Sequence, residues 1–265
     1  MNQNERRHYL IAGLLNEQPQ YKERKVPNSI QEQKLLLRAL LNVRMPEKVS
    51  GEFLKVQDDY LREETAEKGI VKLSDLQPIQ KGIYLWKGDI TRLAADAIVN
   101  AANSGMTGCY QPNHACIDNC IHTFAGIQLR LACAEIMEKQ GFPEPVGRAK
   151  ITSGYNLPCK YVLHTVGPAV NRTAGGYEEL TSGHCRQLAS CYRSCMEFAE
   201  ENGCGSLAFC CISTGVFHFP NQRAAEIAVR TVKEYRENTG SKMEVVFNVF
   251  REDDYEIYEN LLRNN

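Results

Sequence analysis

The stretch SLAFCCISTGVFHFPNQRAAEIAVR, residues 206–230, decides the fold. LAFCCI is a continuous apolar run and reads as a strand buried on both faces. NQRAAEIAVR repeats its apolar residues at helical spacing and reads as a helix. STGVF, residues 213–217, is the small-residue turn between them. A buried strand that passes through a tight turn into a helix is the unit of an α/β sandwich with a mainly parallel sheet.

The same alternation runs outward in both directions. GIYLWKGD (82–89) and ADAIVNAAN (95–103) read as strands, and residues 116–141 as one helix closed by Gly141 and Pro143. Residues 147–168 hold two strands split by a turn, and residues 183–203 a helix. MEVVFNVF (243–250) is a further strand, and residues 251–265 are a final helix. The first 80 residues differ. SIQEQKLLLRALLNVRMP (29–46), with Ser29 as N-cap, and GEFLKVQDDYLREETAEKG (51–69), closed by Gly69, are amphipathic helices with no catalytic constellation. The chain divides into an N-terminal helical extension, 1–80, and an α/β domain, 81–265. The extension is a lid, a docking surface, or simple stabilisation of the sheet edge.

Composition narrows the function. The formal net charge of -1 gives no global field for nucleic acid or anionic lipid. No basic stripe with interleaved aromatics supports nucleic-acid binding. No apolar run of about 18 residues spans a membrane, and the N-terminus lacks a small-residue cleavage site, so it reads as mature protein. Eleven cysteines, an odd number, scatter over a chain of enzyme size. That suits reduced thiols in a cytoplasmic protein better than a disulfide framework. Cys210 and Cys211 read as core packing, and Cys185, Cys191 and Cys195 carry no assigned chemistry.

Ligands of α/β sheets collect beyond the carboxyl ends of the strands. GDIT (88–91), NAAN (100–103), STGVF and FNVF (247–250) all fall there. The backbone N–H groups of STGVF can cradle phosphate oxygens, and Asp89 alone is a turn former as readily as a ligand contact. One stretch stands apart: GCYQPNHACIDNCIHTFAG, 108–126, crowds Cys109, His114, Cys116, Cys120 and His122. A catalytic metal, a structural metal knot, a nucleophilic cysteine and coincidence are all open. The thiols and imidazoles of this stretch are soft donors that suit Zn²⁺. Pro112 and Asn113 can turn the loop back on itself. Cys116 and Cys120, at i and i+4, share a helix face, so a closed four-ligand site is the sharpest rival. The helix N-terminus at Cys116 is expected to lower the thiol pKa. No clear base accompanies a cysteine nucleophile.

GDIT, VNAAN, IHTFAG, GYNLPCKYVLHTVGP, ISTGVFHFP and VVFNVFREDDYEIYENLL, in this order, resemble a macrodomain of the MacroD type from about residue 82 to 262. The resemblance implies a three-layer α/β/α sandwich with a mixed, mainly parallel sheet that binds ADP-ribose. It implies that Asp89 accepts from the adenine amino group with the Ile90 backbone beside it. It places Asn103 on the distal ribose and Ser213, Thr214, Gly215, Val216 and Phe217 around the diphosphate. Ile117, Asp118 and Asn119 fall on the family's V-D-G segment and join the ADP-ribose contacts. Asn103 and Asp118 are the implied catalytic pair. The family's glycine-rich loop is replaced here by CYQPNHAC. That replacement resembles the zinc-dependent macrodomains, whose Cys-x4-His-x-Cys pattern is met by Cys109, His114 and Cys116. It implies Zn²⁺ as cofactor and hydrolysis of mono-ADP-ribose from Asp or Glu side chains. It also implies a modified protein partner, a glycine-cleavage-H-like lipoyl carrier acted on by a sirtuin-type transferase. A non-catalytic ADP-ribose reader and an O-acetyl-ADP-ribose esterase are the alternatives. His122 and His164 are read as structural.

Overall fold

The computed structural model describes residues 1–264 apart from 22, 171, 174, 175 and 178. A seven-stranded sheet lies at its centre, in the order β2-β3-β11-β10-β5-β7-β6. These strands are Pro78–Gln80 (β2), Ile83–Lys87 (β3), Ala97–Ala102 (β5), Ala149–Ser153 (β6), Tyr161–Val166 (β7), Ser206–Phe209 (β10) and Glu244–Val249 (β11). The inner five run parallel, and β2 and β6 close the edges antiparallel. Ala208 sits between Val246 and Ile98 in register, so LAF is buried by strands on both sides as well as by layers on both faces. The strand ends at Phe209. Cys210 to Ser213 leave the sheet, earlier than the apolar run suggests. A short parallel pair, Val71–Lys72 (β1) with Leu93–Ala94 (β4), and a hairpin, Arg172–Thr173 (β8) with Gly176–Tyr177 (β9), complete the strands.

One face of the sheet carries Ser182–Glu201 (α6), Asn221–Thr239 (α7) and Glu252–Arg263 (α8); the other carries Ile117–Ala125 (α4) and Ile127–Gln140 (α5). This is the three-layer sandwich. The helix expected over 116–141 is in fact two. Gly126, at φ 96°, breaks it, and a side chain there would meet Gln57 Nε2 at 2.6 Å.

The N-terminal part holds three helices: Gln3–Glu17 (α1), Ile30–Val43 (α2) and Gly51–Lys68 (α3). The sequence reading missed α1, although Asn2 and Glu5 form a full capping box at its start. Ser29 occupies the N-cap of α2 without a side-chain bond, and Gly69, at φ 83°, ends α3. The three helices share a core of their own around Leu10, Leu14, Leu37, Leu40, Phe53 and Tyr60. They dock chiefly through α2 and α3 onto α4, not onto a sheet edge. The two short strands that precede residue 81, β1 and β2, belong to the sheets of the α/β part. Among the described residues no helix is long and apolar enough to cross a membrane.

Candidate active site

Because β3, β11, β10, β5 and β7 are parallel, their carboxyl ends share one rim of the sheet. Four segments meet there. Asp89 follows β3, Asn103 follows β5 and leads to α4, the 213–217 turn follows β10, and Phe250 follows β11.

Asp89 caps a short 3-10 turn, Ile90–Arg92. Its Oδ1 accepts from Thr91 N at 3.0 Å and from Thr91 Oγ1 at 2.6 Å. Among the described residues its second oxygen has no hydrogen-bond partner, so it can accept from a ligand. Ile90 itself is core, so only its backbone is available beside Asp89.

The turn after β10 is unusual. Ser213 holds φ 67° with its side chain buried, and among the described residues its Oγ has no hydrogen-bond partner. Phe219 N donates back to Ser213 O at 3.0 Å, and His218 N to Gly215 O at 3.0 Å. Among the described residues, the amides of Thr214, Gly215 and Val216 find no protein acceptor. Oriented backbone donors left open by the fold make an anion cradle that needs no lysine. Gly167 packs against this turn so closely that a Cβ there would lie 2.0 Å from Ser213 Oγ.

Two apolar side chains stand exposed at this rim: Phe250 at 79 % and Val216 at 62 %. Phe250 closes the FNVF segment expected at this rim, although the family resemblance assigns it no ligand contact. Gly88 N donates to Val249 O at 2.9 Å, which brings the end of β11, and with it Phe250, beside the Asp89 turn. An exposed aromatic on a strand end beside a carboxylate offers a stacking face for a planar base. The strand ends at Val249, so Phe250 lies beyond the layers that bury Phe247, Asn248 and Val249.

Asp118 and Asn103 are joined. Asn103 Nδ2 donates to Asp118 Oδ2 at 3.3 Å and to Gly108 O at 3.1 Å. Asn100 Nδ2 donates to Asp118 Oδ1 at 2.8 Å. Burial pushes the Asp118 carboxyl up to about 6, against the pull of Asn100, Arg130 and Asn103. Asn103 is exposed and Asp118 buried behind it, so Asn103 meets the cleft first.

The loop between them brings Cys109, His114 and Cys116 together. Their ligand atoms lie within 4.8 Å of one another, and Cys109 Sγ is 3.6 Å from His114 Nδ1. Tetrahedral zinc with ordinary bond lengths needs ligand atoms about 3.3–3.8 Å apart, so the donor set and its spacing fit a zinc ion. Cys116 is the N-cap of α4, and its Sγ accepts from Asn119 N at 3.4 Å. The expected low thiol pKa is not found. Burial outweighs the helix end and pushes Cys116 up to about 12, with Cys109 and Asp118 adding to the rise. A bound divalent cation reverses that balance by stabilising the thiolate.

Cys120 does not join the group. Arg38 Nη2 lies 3.5 Å from its Sγ, and the guanidinium covers that side of α4. Asn119 also departs from expectation. Its side chain is buried, donating to Gln111 O at 3.0 Å and Cys109 O at 3.4 Å and accepting from Arg38 Nη2 at 2.9 Å. It ties the loop rather than facing the cleft. Among the described residues, the amides of Ile117 and Asp118 find no protein acceptor at the start of α4.

His164 and His122 are buried, as their strand and helix positions imply. His164 contacts Asn100 Nδ2 at 3.1 Å and Thr152 Oγ1 at 2.9 Å, and burial pushes it down to about 3. Among the described residues both ring nitrogens of His122 lack hydrogen-bond partners; its Nε2 is 3.5 Å from Asp118 Oδ1. The His122 ring fills the space beside Gly108, where a Cβ would lie 2.8 Å from it. Cys133 joins these histidines in a second buried group, but both His164 nitrogens are already engaged. All eleven cysteines are free thiols.

Known proteins resemble this chain. The Macro domain family matches residues 99–228. A protein from Treponema medium named protein-ADP-ribose hydrolase is 56% identical over 266 residues, 99% of this chain and 100% of that one. One of the same name from Staphylococcus aureus (strain MSSA476) is 49% identical over 252 residues, 95% of this chain and 92% of its own. The Oceanobacillus iheyensis macrodomain solved with ADP is 34% identical at a TM-score of 0.61, covering 71% of this chain and 94% of that one. The Trypanosoma brucei macrodomain in complex with ADP-ribose is 30% identical at a TM-score of 0.64, covering 85% and 94%.

Proposed function

The chain belongs to the macrodomain family, and we propose that it is a zinc-dependent protein-ADP-ribose hydrolase acting on mono-ADP-ribose ester-linked to Asp or Glu side chains. One observation carries the reading: Cys109, His114 and Cys116 converge on the loop that runs between the bonded pair Asn103 and Asp118. The nearly full-length likeness to proteins named protein-ADP-ribose hydrolase supports it.

Cys109, His114 and Cys116 would hold the ion. When bound, zinc supplies either Lewis acidity toward an oxygen of the distal ribose or ester, or a bound water whose pKa falls to about 7. The chain's own residues do the rest. The open amides of Thr214, Gly215 and Val216 bind the diphosphate, with those of Ile117 and Asp118 at the start of α4. The free Asp89 oxygen accepts from the adenine amino group, and Phe250 stacks on the base. This remote half of the ligand positions the reacting half. Asn103 orients the distal ribose. Asp118, held by Asn100 and Asn103, takes or returns a proton at the attacking water or the departing hydroxyl. The partner is a mono-ADP-ribosylated protein, for which a lipoyl carrier of the glycine-cleavage-H type modified by a sirtuin-type transferase is the proposed candidate.

Release of ADP-ribose from an aspartate- or glutamate-modified protein, before and after chelation, tests this. The expected result is loss of release on stripping and recovery on adding zinc. Equal release in both states would make the metal a structural clasp. No release, with ADP-ribose still bound, would make the protein a reader.

Asp89→Ala separates binding from chemistry. ADP-ribose affinity by calorimetry is expected to fall about tenfold or more, the size of one buried hydrogen bond to a charged group. The melting temperature should stay within a few degrees. Unchanged affinity would refute the adenine assignment.

A further inference from the structure

We propose that Arg38, on α2, is a positioning residue for the site, so that the N-terminal helices are part of the reaction machinery and not a separate appendage. The inference rests on the hydrolase reading above for its catalytic half, and on hydrogen bonds alone for its structural half.

The loop from Cys109 to Cys116 has almost no regular structure, and its backbone groups need partners. Gly108 O is met by Asn103, and Cys109 O and Gln111 O by Asn119. Two groups beside the histidine find theirs on α2. His114 O accepts from Arg38 Nη2 at 2.8 Å, and Asn113 N donates to Asn42 Oδ1 at 2.9 Å. Asn113 holds φ 55°, a conformation that turns the chain so that His114 comes back to Cys109. Asn42 is itself fixed, its Nδ2 donating to Thr123 Oγ1 on α4 at 2.9 Å.

Arg38 binds on both sides of the cluster. The same Nη2 that holds His114 O also reaches Asn119 Oδ1 at 2.9 Å. Asn119 in turn supplies the amide that bonds Cys116 Sγ, and side-chain donors to Cys109 O and Gln111 O. One nitrogen therefore connects the backbone of His114 with the residue that ties Cys109 and Cys116. A second clamp fixes the far end of the interface. Arg130 Nη1, on α5, donates to Asn42 O at 2.8 Å, to Leu41 O at 3.2 Å and to Arg44 O. These carbonyls end α2, where a cation is favoured. The docking of α2 is thus rigid at the level of the loop, and a loop on a rigid support keeps reactive groups in register.

The test uses the full chain with Arg38→Met, which keeps the apolar stem and removes the donors, and Arg38→Lys, whose ammonium restores a donor. In metal-free protein, amide exchange in peptides covering 108–120 is expected to accelerate about tenfold or more in Arg38→Met, with peptides over 206–230 unchanged. In zinc-loaded protein, the ion should pass to a chromogenic chelator about tenfold faster, and kcat should fall about tenfold with KM within threefold. Arg38→Lys should recover a substantial part of each. Wild-type exchange in 108–120 in the Met variant overturns the clamp whether or not zinc binds. Faster exchange with unchanged kcat, KM and zinc release reduces Arg38 to stabilising the loop and overturns the positioning role. If wild type itself releases no ADP-ribose, the hydrolase reading fails, while the exchange result still decides the clamp.

Discussion

Cys116→Ser is expected to lose zinc and to release ADP-ribose at least about a hundredfold more slowly than wild type, some 2.7 kcal/mol of barrier. Serine is chosen because Cys116 has two duties. It caps α4 through Asn119 N, and a hydroxyl oxygen keeps that bond. It is also one of three soft donors gathered within 4.8 Å, and a hydroxyl cannot replace a thiolate there. The variant should therefore fold and melt within a few degrees of wild type, and bind ADP-ribose within a few-fold. In the proposed binding mode Asp89, Phe250 and the 213–217 turn hold the adenine and diphosphate together with the Ile117 and Asp118 amides, whose helix start a serine cap at 116 keeps in place. Metal content by atomic absorption, calorimetry and turnover on one preparation separate these effects. Turnover within tenfold of wild type would remove the metal from the reaction.

Asp118→Asn is expected to lower kcat by about 10²–10⁴, the usual range for a positioned acid–base group. The geometry explains why so small a change should matter. Asn100 Nδ2 and Asn103 Nδ2 both point at the carboxylate, one at each oxygen. A carboxylate accepts both, whereas an amide turns its own N–H₂ toward one of them. The substitution therefore removes the proton acceptor and also releases Asn103 from its anchor, at a stability cost of roughly 1–3 kcal/mol for the unsatisfied buried donor. ADP-ribose affinity should change only a few-fold, since the Asp118 group proposed to meet the diphosphate is its backbone amide, which the substitution leaves in place. A kcat within tenfold of wild type, with zinc retained, would exclude Asp118 from proton transfer.

The two substitutions differ in what they leave behind. Cys116→Ser should lose metal and keep the Asn100–Asp118–Asn103 network, whereas Asp118→Asn should keep metal and lose the network. A preparation in which either variant showed both losses would mean that the loop and the carboxylate form one cooperative unit, with Asn103 as the link through Gly108 O.

The architecture was legible because its cause is local. LAF and IVNAA are buried runs with no polar alternation, so they fit only central strands, and Gly141 and Gly240 end helices where positive φ is required. The cluster of soft donors was legible for the same reason, with the family resemblance selecting the triad from it: eight residues carry Cys109, His114 and Cys116, and a single turn at Asn113 suffices to bring them together. Local signals also misled. Residues 116–141 keep a helical pattern across Gly126, whose break is set by the packing of Gln57 against it. The thiol expected to acidify at a helix end rises instead, because burial is a property of the whole fold.

What the sequence by itself determined is therefore the alternating α/β class, the helical nature of residues 29–69, and the cluster of soft donors in one loop, each written within a few turns of chain. What only the tertiary structure decided is how distant segments complete the site. Asn100 meets Asp118, Gly167 shapes the Ser213 turn, and Arg38 spans about eighty positions to hold His114 and Asn119. No periodicity encodes such pairs. Each is a buried polar group seeking the partner that burial demands, and the partner is chosen by which surfaces the packed layers bring face to face.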